Sequence, residues 1–490
     1  MSEERFDVVV AGCGVAGLSA ATSAAEKGGR VAVLERAPRE ERGGQSRYTE
    51  AYLRMKSENE VSDDFRDHFA RNGSGAIDPD LVMESDRPRE ERAAYARALS
   101  LAEPEVIEAL AEGAGPTIAW LKGMGVRFGF LPTQFLTKSQ PRLLPIGGGR
   151  ALVEALAAHA ASLGVSFHYE TAAQRLALDG DGGVTGLWAR ACGHRILFSG
   201  KVVLACGGFE GNAEMQTRYL GPRAVHLRPI CKGGHFNRGE GIEMALEAGA
   251  APCGDFGSYH AEPIDPRSGV SEPSVFIFPY GVLVNQDGER FTDEAPGTVD
   301  ATYEPITRRI FAQRDGIAYA VLDQKHRRIP NYRLAIRTDQ PPIVADTMTG
   351  LAALLRMPAE ALSATIERFN RACLAGSFRP LELDGLSTRG LAPPKSNWAV
   401  PLDEPPFHAY PIISSNVLTF GGVKVDARAR VLDRDGAPIP RLYAAGEVVG
   451  LYWGTYTGAT SVLKGLVFGR LAGLDAMQGL KSRERSGSER

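Results

Sequence analysis

Two unbroken apolar runs, Val8-Val9-Val10-Ala11 and Val31-Ala32-Val33-Leu34, lie near the start of the chain. Each is too short for a helix and shows no alternation, the pattern of a strand covered on both faces in a parallel sheet. Small residues fill the stretch between them, and Gly12-Cys13-Gly14-Val15-Ala16-Gly17 opens it. Strand, glycine turn, helix, strand and a terminal Glu35 make one βαβ unit. The first glycine permits the tight turn, the second lets backbone approach a pyrophosphate, and the third lets the helix pack on the strand. The helix N-terminus offers free N–H groups to phosphate, and the acid accepts hydrogen bonds from a ribose. The unit predicts dinucleotide binding through Gly12, Gly14, Ala16, Gly17 and Glu35.

The pattern continues along the chain. Gly147-Gly148-Gly149-Arg150 opens an amphipathic helix to about 163, Gly164 to Ala173 reads as a strand, and 183–189 with 195–199 reads as a β-ribbon. Lys201 to Phe209 is an apolar strand ending in glycines. Between 257 and 413 prolines become frequent, helical stretches occupy 303–314 and 359–375, and Gly281 to Phe291 is a strand-turn-strand centred on Asp287-Gly288. The first texture returns with Gly421 to Val425 and with Leu442-Tyr443-Ala444-Ala445-Gly446-Glu447, and Gly458-Ala459-Thr460-Ser461 opens a helix through Gly469. The chain thus reads as α/β. A Rossmann-like binding domain covers 1–256 and 414–490, and an inserted α+β capping domain over 257–413 faces the substrate across a cleft. An acid at the second strand suits NAD or FAD better than NADP. Binding halves at opposite ends of a chain are a flavoprotein arrangement, which selects FAD. The last helix would then turn the positive end of its dipole toward the flavin ring. Gly44 and Ser46 in the second glycine turn, Ala173, Glu447, Ser461 and Leu463 complete the expected cofactor residues.

Composition narrows the class without changing it. Net charge is −3, so no basic field points to nucleic acid. No apolar run reaches transmembrane length, and the first strand begins too early to leave room for a leader. Six cysteines form no C-x-x-C pair and no haem or iron–sulfur spacing, so reduced thiols and a cytoplasmic setting are expected. No metal site is expected. A separate acceptor, a quinone or a redox partner protein, must therefore exchange electrons with the flavin. The last ten residues are polar and charged and read as a disordered tail.

Thr419-Phe420-Gly421-Gly422-Val423-Lys424-Val425-Asp426, Pro440 to Glu447, Val202 to Phe209 and Gly239 to Ala245 are similar to segments of the fumarate reductase and succinate dehydrogenase flavoproteins. That family also contains ketosteroid dehydrogenases and tricarballylate dehydrogenase, and the resemblance covers nearly the whole chain. Gly43 to Arg47, His260 to Asp265 and Tyr456 to Ser461 look most like tricarballylate dehydrogenase. The resemblance implies a dehydrogenase that takes hydrogen from a carbon–carbon single bond of a small polycarboxylic acid, with hydride passing to flavin N5. The chain also departs from the family. Leu418 stands where soluble fumarate reductases carry a carboxylate-binding His, Tyr456-Thr457 replaces their Asn-Arg, and no Thr-Glu-x-x-Arg relay is found between Glu272 and Tyr280. The His used for covalent flavin attachment is missing, so FAD should be non-covalent.

His260 matches the family's first substrate His. It is either a structural loop residue or a donor to a substrate carboxylate or carbonyl. Arg327 is similar in context to a proton-transfer Arg. With Arg333 it either clamps a carboxylate or belongs to a solvated basic cluster. Tyr456 is either the acid/base or aromatic packing near the flavin ring. Thr419 either contacts substrate or caps a turn, and Glu447 is either a surface carboxylate or, as the resemblance implies, the partner of a flavin ribityl hydroxyl. A 3-ketosteroid-type dehydrogenase, with Tyr456 polarising a ketone, is the competing reading. Fumarate-reductase-like reduction of an enoate and a flavin electron-transfer subunit are the others.

Overall fold

The computed structural model describes residues 2–73, 84, 87, 91–97, 104–137 and 142–479. The expected tail lies outside them. The larger sheet runs in the order Arg430–Leu432, Pro438–Ala444, His194–Leu204, Ser2–Ala11, Val31–Leu34, Ser166–His168. Its centre is parallel, with Val8 opposite Val31 on one side and Lys201 on the other. Val8, Val9, Val10, Ala32 and Val33 are fully buried, as unbroken apolar strands require. The expected ribbon is Thr171–Leu178 with Val184–Ala191, joined antiparallel to His194–Leu204.

Helices Val15–Glu26 and Ser461–Ala476 pack together beneath this sheet. The two lie so close that a Cβ on Gly469 would stand 2.2 Å from the Ala16 carbonyl oxygen, and one on Gly473 the same distance from that of Ala20. The first and last helices are thereby locked together, bringing two distant stretches of chain to one cleft. Helix Pro104–Gly123 covers the last helix through Val106, Leu110, Ala114 and Ile118, despite an internal Pro116.

The second sheet is antiparallel: Tyr259–Ile264, Phe407–Thr419, Ile317–Leu322, Val282–Val284. Its strands alternate cleanly. Leu283, Ala320, Leu322, Tyr410 and Ile412 face helix Val299–Phe311, which supplies Tyr303, Ile306 and Ile310. Val282, Val284, Val321 and Ala409 face helices Met348–Leu355 and Ala359–Ala372. A two-sided core with period 2 is how an antiparallel sheet sits between helices. Strand Phe407–Thr419 runs out of this sheet toward the first, ending beside Glu447. Gly422–Val423 pairs with Pro252–Cys253 in a separate ladder rather than joining the larger sheet. Among the described residues no helix is long and apolar enough to cross a membrane.

Candidate active site

A cleft of about 1260 Å³ follows the C-terminal ends of the parallel strands, where open α/β sheets bind ligands. Gly12, Gly14, Ala16, Glu35, Gly44, Ser46, Ala173, Glu447 and Ser461 line it. Gly12 has φ +105, and a Cβ there would stand 2.3 Å from the Ala205 carbonyl oxygen, so only glycine fits. A Cβ on Gly14 would meet nothing nearer than Ser46 Oγ at 3.5 Å, which leaves its backbone open to the cleft. Gly17 and Leu463 do not line the cleft. Gly17 packs the helix onto the turn, where a Cβ would come 2.0 Å from the Gly12 oxygen. Leu463 is fully buried in the core, and its neighbours Val462, Lys464 and Gly465 take the cleft-facing positions instead.

The cleft fits a dinucleotide at its polar end. Glu35 is buried and pre-positioned: Oε2 accepts from Cys13 N at 2.9 Å and Oε1 from Ala37 N at 2.8 Å. Each oxygen keeps a lone pair for a ribose hydroxyl. Burial pushes the carboxyl upward in pKa, against those two N–H bonds. Gly14 supplies no side-chain cap to the helix that starts at Val15, and Val15 N makes only a long 3.5 Å bond to Ser46 Oγ beside the cleft. At the other end, Glu447 Oε1 accepts from the backbone N of Thr419 at 2.6 Å and from its hydroxyl at 3.0 Å. Thr419 is 1% exposed, and its oxygen also accepts from Phe209 N at 3.4 Å. Thr419 therefore holds Glu447 in place and does not itself line the cleft. Glu210 lies alongside, holding Gln45 Nε2 at 3.0 Å. Burial and the Glu447 charge push its carboxyl well above the usual carboxylate range.

Beyond Glu447 the cleft meets the last helix. The Tyr456 oxygen accepts from Thr460 N at 3.0 Å and Ser461 N at 2.9 Å, and its hydroxyl donates to Ser461 Oγ at 3.0 Å. The phenol thus caps a helix whose N-terminus has no cap from Thr460 itself. Lys464, one turn on, is buried, donates to the Val449 carbonyl at 2.8 Å and lies 4.7 Å from the Tyr452 ring centre. Burial pulls its amine down to about 8.

His260 stacks on Tyr456 with ring centres 4.4 Å apart, and its Nε2 is 2.7 Å from the Tyr303 hydroxyl. Burial and the nearby Arg308 charge pull the imidazole down to about 3, so it is neutral at pH 7. The same burial, with surrounding carboxylates, raises the Tyr303 phenol well above its ordinary range. Nδ1 of His260 has no partner among the described residues. Helix Val299–Phe311 carries Tyr303 and also Glu304, which accepts from Tyr456 N at 3.1 Å and from Arg308 Nη2 at 3.0 Å. His260 and Tyr456 therefore come together as a pair, with Tyr303 as a third member.

Arg327 and Arg333 do not join them. Arg327 sits exposed in the short turn Gln324–Arg328 that follows strand Ile317–Leu322. Arg333 is exposed and lies beside Tyr332. Both belong to a solvated basic surface, and neither lines the cleft. Tyr303, Arg54 and Arg142 were not found from sequence. Tyr303 carries no signal beyond its place on an amphipathic helix. The two arginines leave only a faint trace, Arg54 between Leu53 and Met55 and Arg142 just before Leu143-Leu144.

The FAD binding domain family matches residues 7–463 of this chain. The vinyl phenol reductase of Lactiplantibacillus plantarum is 26% identical over 92% of this chain and 92% of its own length. The 4-oxocyclohexanecarboxylate 2-dehydrogenase of Sinomonas cyclohexanicum is 31% identical over 67% of this chain and 60% of its own. The crystal structure of a 3-ketosteroid-Δ4-(5α)-dehydrogenase from Rhodococcus jostii is similar with a TM-score of 0.68 and 25% identity, covering 97% of each chain. A family match over most of the chain, together with a cleft shaped for a dinucleotide, means that the chain belongs to the FAD binding domain family, the fumarate reductase and succinate dehydrogenase flavoproteins, as an FAD-dependent dehydrogenase or reductase acting on CH–CH groups.

Proposed function

We propose that the protein acts on the carbon–carbon bond next to the carbonyl of a small ketone-type substrate, rather than on tricarballylate held by Arg327 and Arg333. The observation that carries this reading is the Tyr456 hydroxyl. It stands at the N-terminus of the flavin helix with two backbone N–H groups on its oxygen. Those two bonds strengthen the phenol as a donor, and turning its one proton from Ser461 Oγ, 3.0 Å away, to a substrate carbonyl would polarise that oxygen as charge develops there. Polarisation acidifies the adjacent C–H, and a vicinal proton can then move.

Bound FAD supplies hydride transfer, and the chain supplies the rest. Tyr303 with His260 is the proton-handling pair. Burial keeps Tyr303 protonated, and the depressed His260 is a weak acceptor. The 2.7 Å contact between them lets the pair pass one proton to or from the substrate carbon, in either direction of the reaction. Electrons enter through a separate partner or quinone.

A second reading keeps a polycarboxylate of the tricarballylate type, with a carboxylate in place of the ketone at Tyr456. The buried guanidiniums of Arg54 and Arg142 beside Gly458 favour it. Anaerobic mixing separates the two. Reduced holoenzyme should recover its oxidised absorbance with a cyclic enone, and oxidised holoenzyme should bleach little with tricarballylate. Rapid bleaching by tricarballylate, with no response to any enone, would replace the first reading with the second.

A further inference from the structure

The turn from Tyr456 to Ser461 has a second face. A Cβ on Gly458 would stand 3.6 Å from Arg142 Nη2 and 3.9 Å from Arg54 Nη1, so the bare glycine leaves both guanidiniums facing the same small space. Arg54 donates to the Gly458 carbonyl at 3.2 Å and to Asp64 at 2.5 Å, and its backbone N donates to the Ala459 carbonyl at 2.8 Å. Arg142 donates to Asp300 at 3.1 Å. Neither arginine is saturated. Arg54 Nε and Arg142 Nη1 are buried and without a partner among the described residues.

The charges are sorted by depth. The side chains of Arg54 and Arg142 are 3% and 6% exposed, those of Asp64 and Asp300 31% and 15%. The carboxylates lie toward solvent and the cations lie inward, so the inner face of the cluster is positive. Burial and the Arg142 charge both pull Arg54 down from its ordinary range, so a further anion would relieve two cations at once. The atoms that face Gly458, Arg54 Nη1 and Arg142 Nη2, carry two N–H groups each beside their bonds to the Gly458 carbonyl and Asp300, and guanidinium N–H groups on adjacent arginines suit a planar carboxylate. Asp300 belongs to the helix that carries Tyr303, and Gly458 lies two residues from Tyr456, so the cluster adjoins the Tyr303 and Tyr456 group.

We propose that Arg54 and Arg142 form a carboxylate subsite on the Gly458 side of the Tyr456–Ser461 turn, which makes the substrate a carbonyl compound that also carries a carboxylate. The inference rests on the reading that Tyr456 takes the carbonyl. The natural probes are 4-oxocyclohexanecarboxylate and its neutral methyl ester, titrated into oxidised holoenzyme and read as a perturbation of flavin absorbance. The acid should bind at least tenfold tighter than the ester. Arg142→Gln should bring the ratio near one while leaving ester binding and FAD content in place. Gly458→Ala is the second variant. Its added methyl makes only ordinary van der Waals contacts and fills the space both guanidiniums face, so it should lower the ratio without unfolding the chain. Equal binding of acid and ester by the parent protein, or a ratio that survives both substitutions, overturns the subsite and leaves the ketone reading standing. Ester binding unchanged by Tyr456→Phe overturns the ketone reading and leaves the acid-to-ester ratio as the measure of the subsite. Failure of both probes to perturb the flavin overturns both.

Discussion

The two ends of the cleft are built from different material. The nucleotide end is mostly backbone: glycine turns at Gly12 and Gly43, a helix start after Gly14 with no cap from that residue, and one carboxylate held by Cys13 N and Ala37 N. The reacting end, which adjoins the cleft at Ser461 instead of lining it, is side chains, with His260, Tyr303, Tyr456, Arg54 and Arg142 drawn from five separate stretches of chain. Backbone sites demand particular residues at fixed spacing, because only glycine tolerates the required φ or the close approach. Side-chain sites demand only that the fold converge. The first end is therefore shared widely among dinucleotide proteins, and the second is where one member of the family differs from another.

Substitutions should separate the ends. Tyr456→Phe keeps the ring against His260 but removes the donor and the helix cap. Turnover should fall about 100- to 1,000-fold, the cost of losing one donor to a developing oxyanion, with FAD content unchanged by absorbance. Glu35→Ala removes charge-assisted bonds worth about 1.5–3 kcal/mol each, so FAD retention after dialysis should fall about tenfold or more. In the parent protein, acid precipitation should leave the flavin in the supernatant, because the attachment His is missing.

His260 sharpens the comparison through pH. Its folded pKa lies near 3, below its ordinary 6.5, so the unfolded chain binds the extra proton in between. The stability that comes from keeping it neutral is present above pH 6.5 and is lost as pH falls toward 3. His260→Gln should flatten that part of the urea-melting profile relative to the parent, while melting at pH 8 changes less. An acid limb of equal steepness in both proteins would show that His260 is not buried neutral. The smallest effects belong to Arg327→Ala and Arg333→Ala. Exposed positions outside any network should shift stability by no more than about 0.5 kcal/mol, and turnover should stay near that of the parent.

The same contrast explains what the sequence revealed. The βαβ unit, the ribbon after Ala173, the amphipathic helices and most of the cofactor-lining residues follow from periodicity and glycine spacing. Leu463 was misplaced because a one-residue step on a helix turns a side chain by about 100°, from cleft to core. Arg327 was misjudged because local resemblance cannot tell which way a short turn after a strand points. Thr419 and Glu447 are 28 residues apart, and no local pattern announces that the first holds the second. Tyr303 was invisible as a site residue because aromatic residues on the inner face of a helix are ordinarily core.

The most direct test measures FAD occupancy and single-turnover rate per bound flavin on the same two variants. Glu35→Ala, reloaded with excess FAD, should react at close to the parent rate, and Tyr456→Phe should hold a full complement of flavin that reacts at least 100-fold more slowly. A Tyr456→Phe protein that reacts at the parent rate, or a reloaded Glu35→Ala protein as slow as Tyr456→Phe, would contradict the division of the cleft into a binding end and a reacting end.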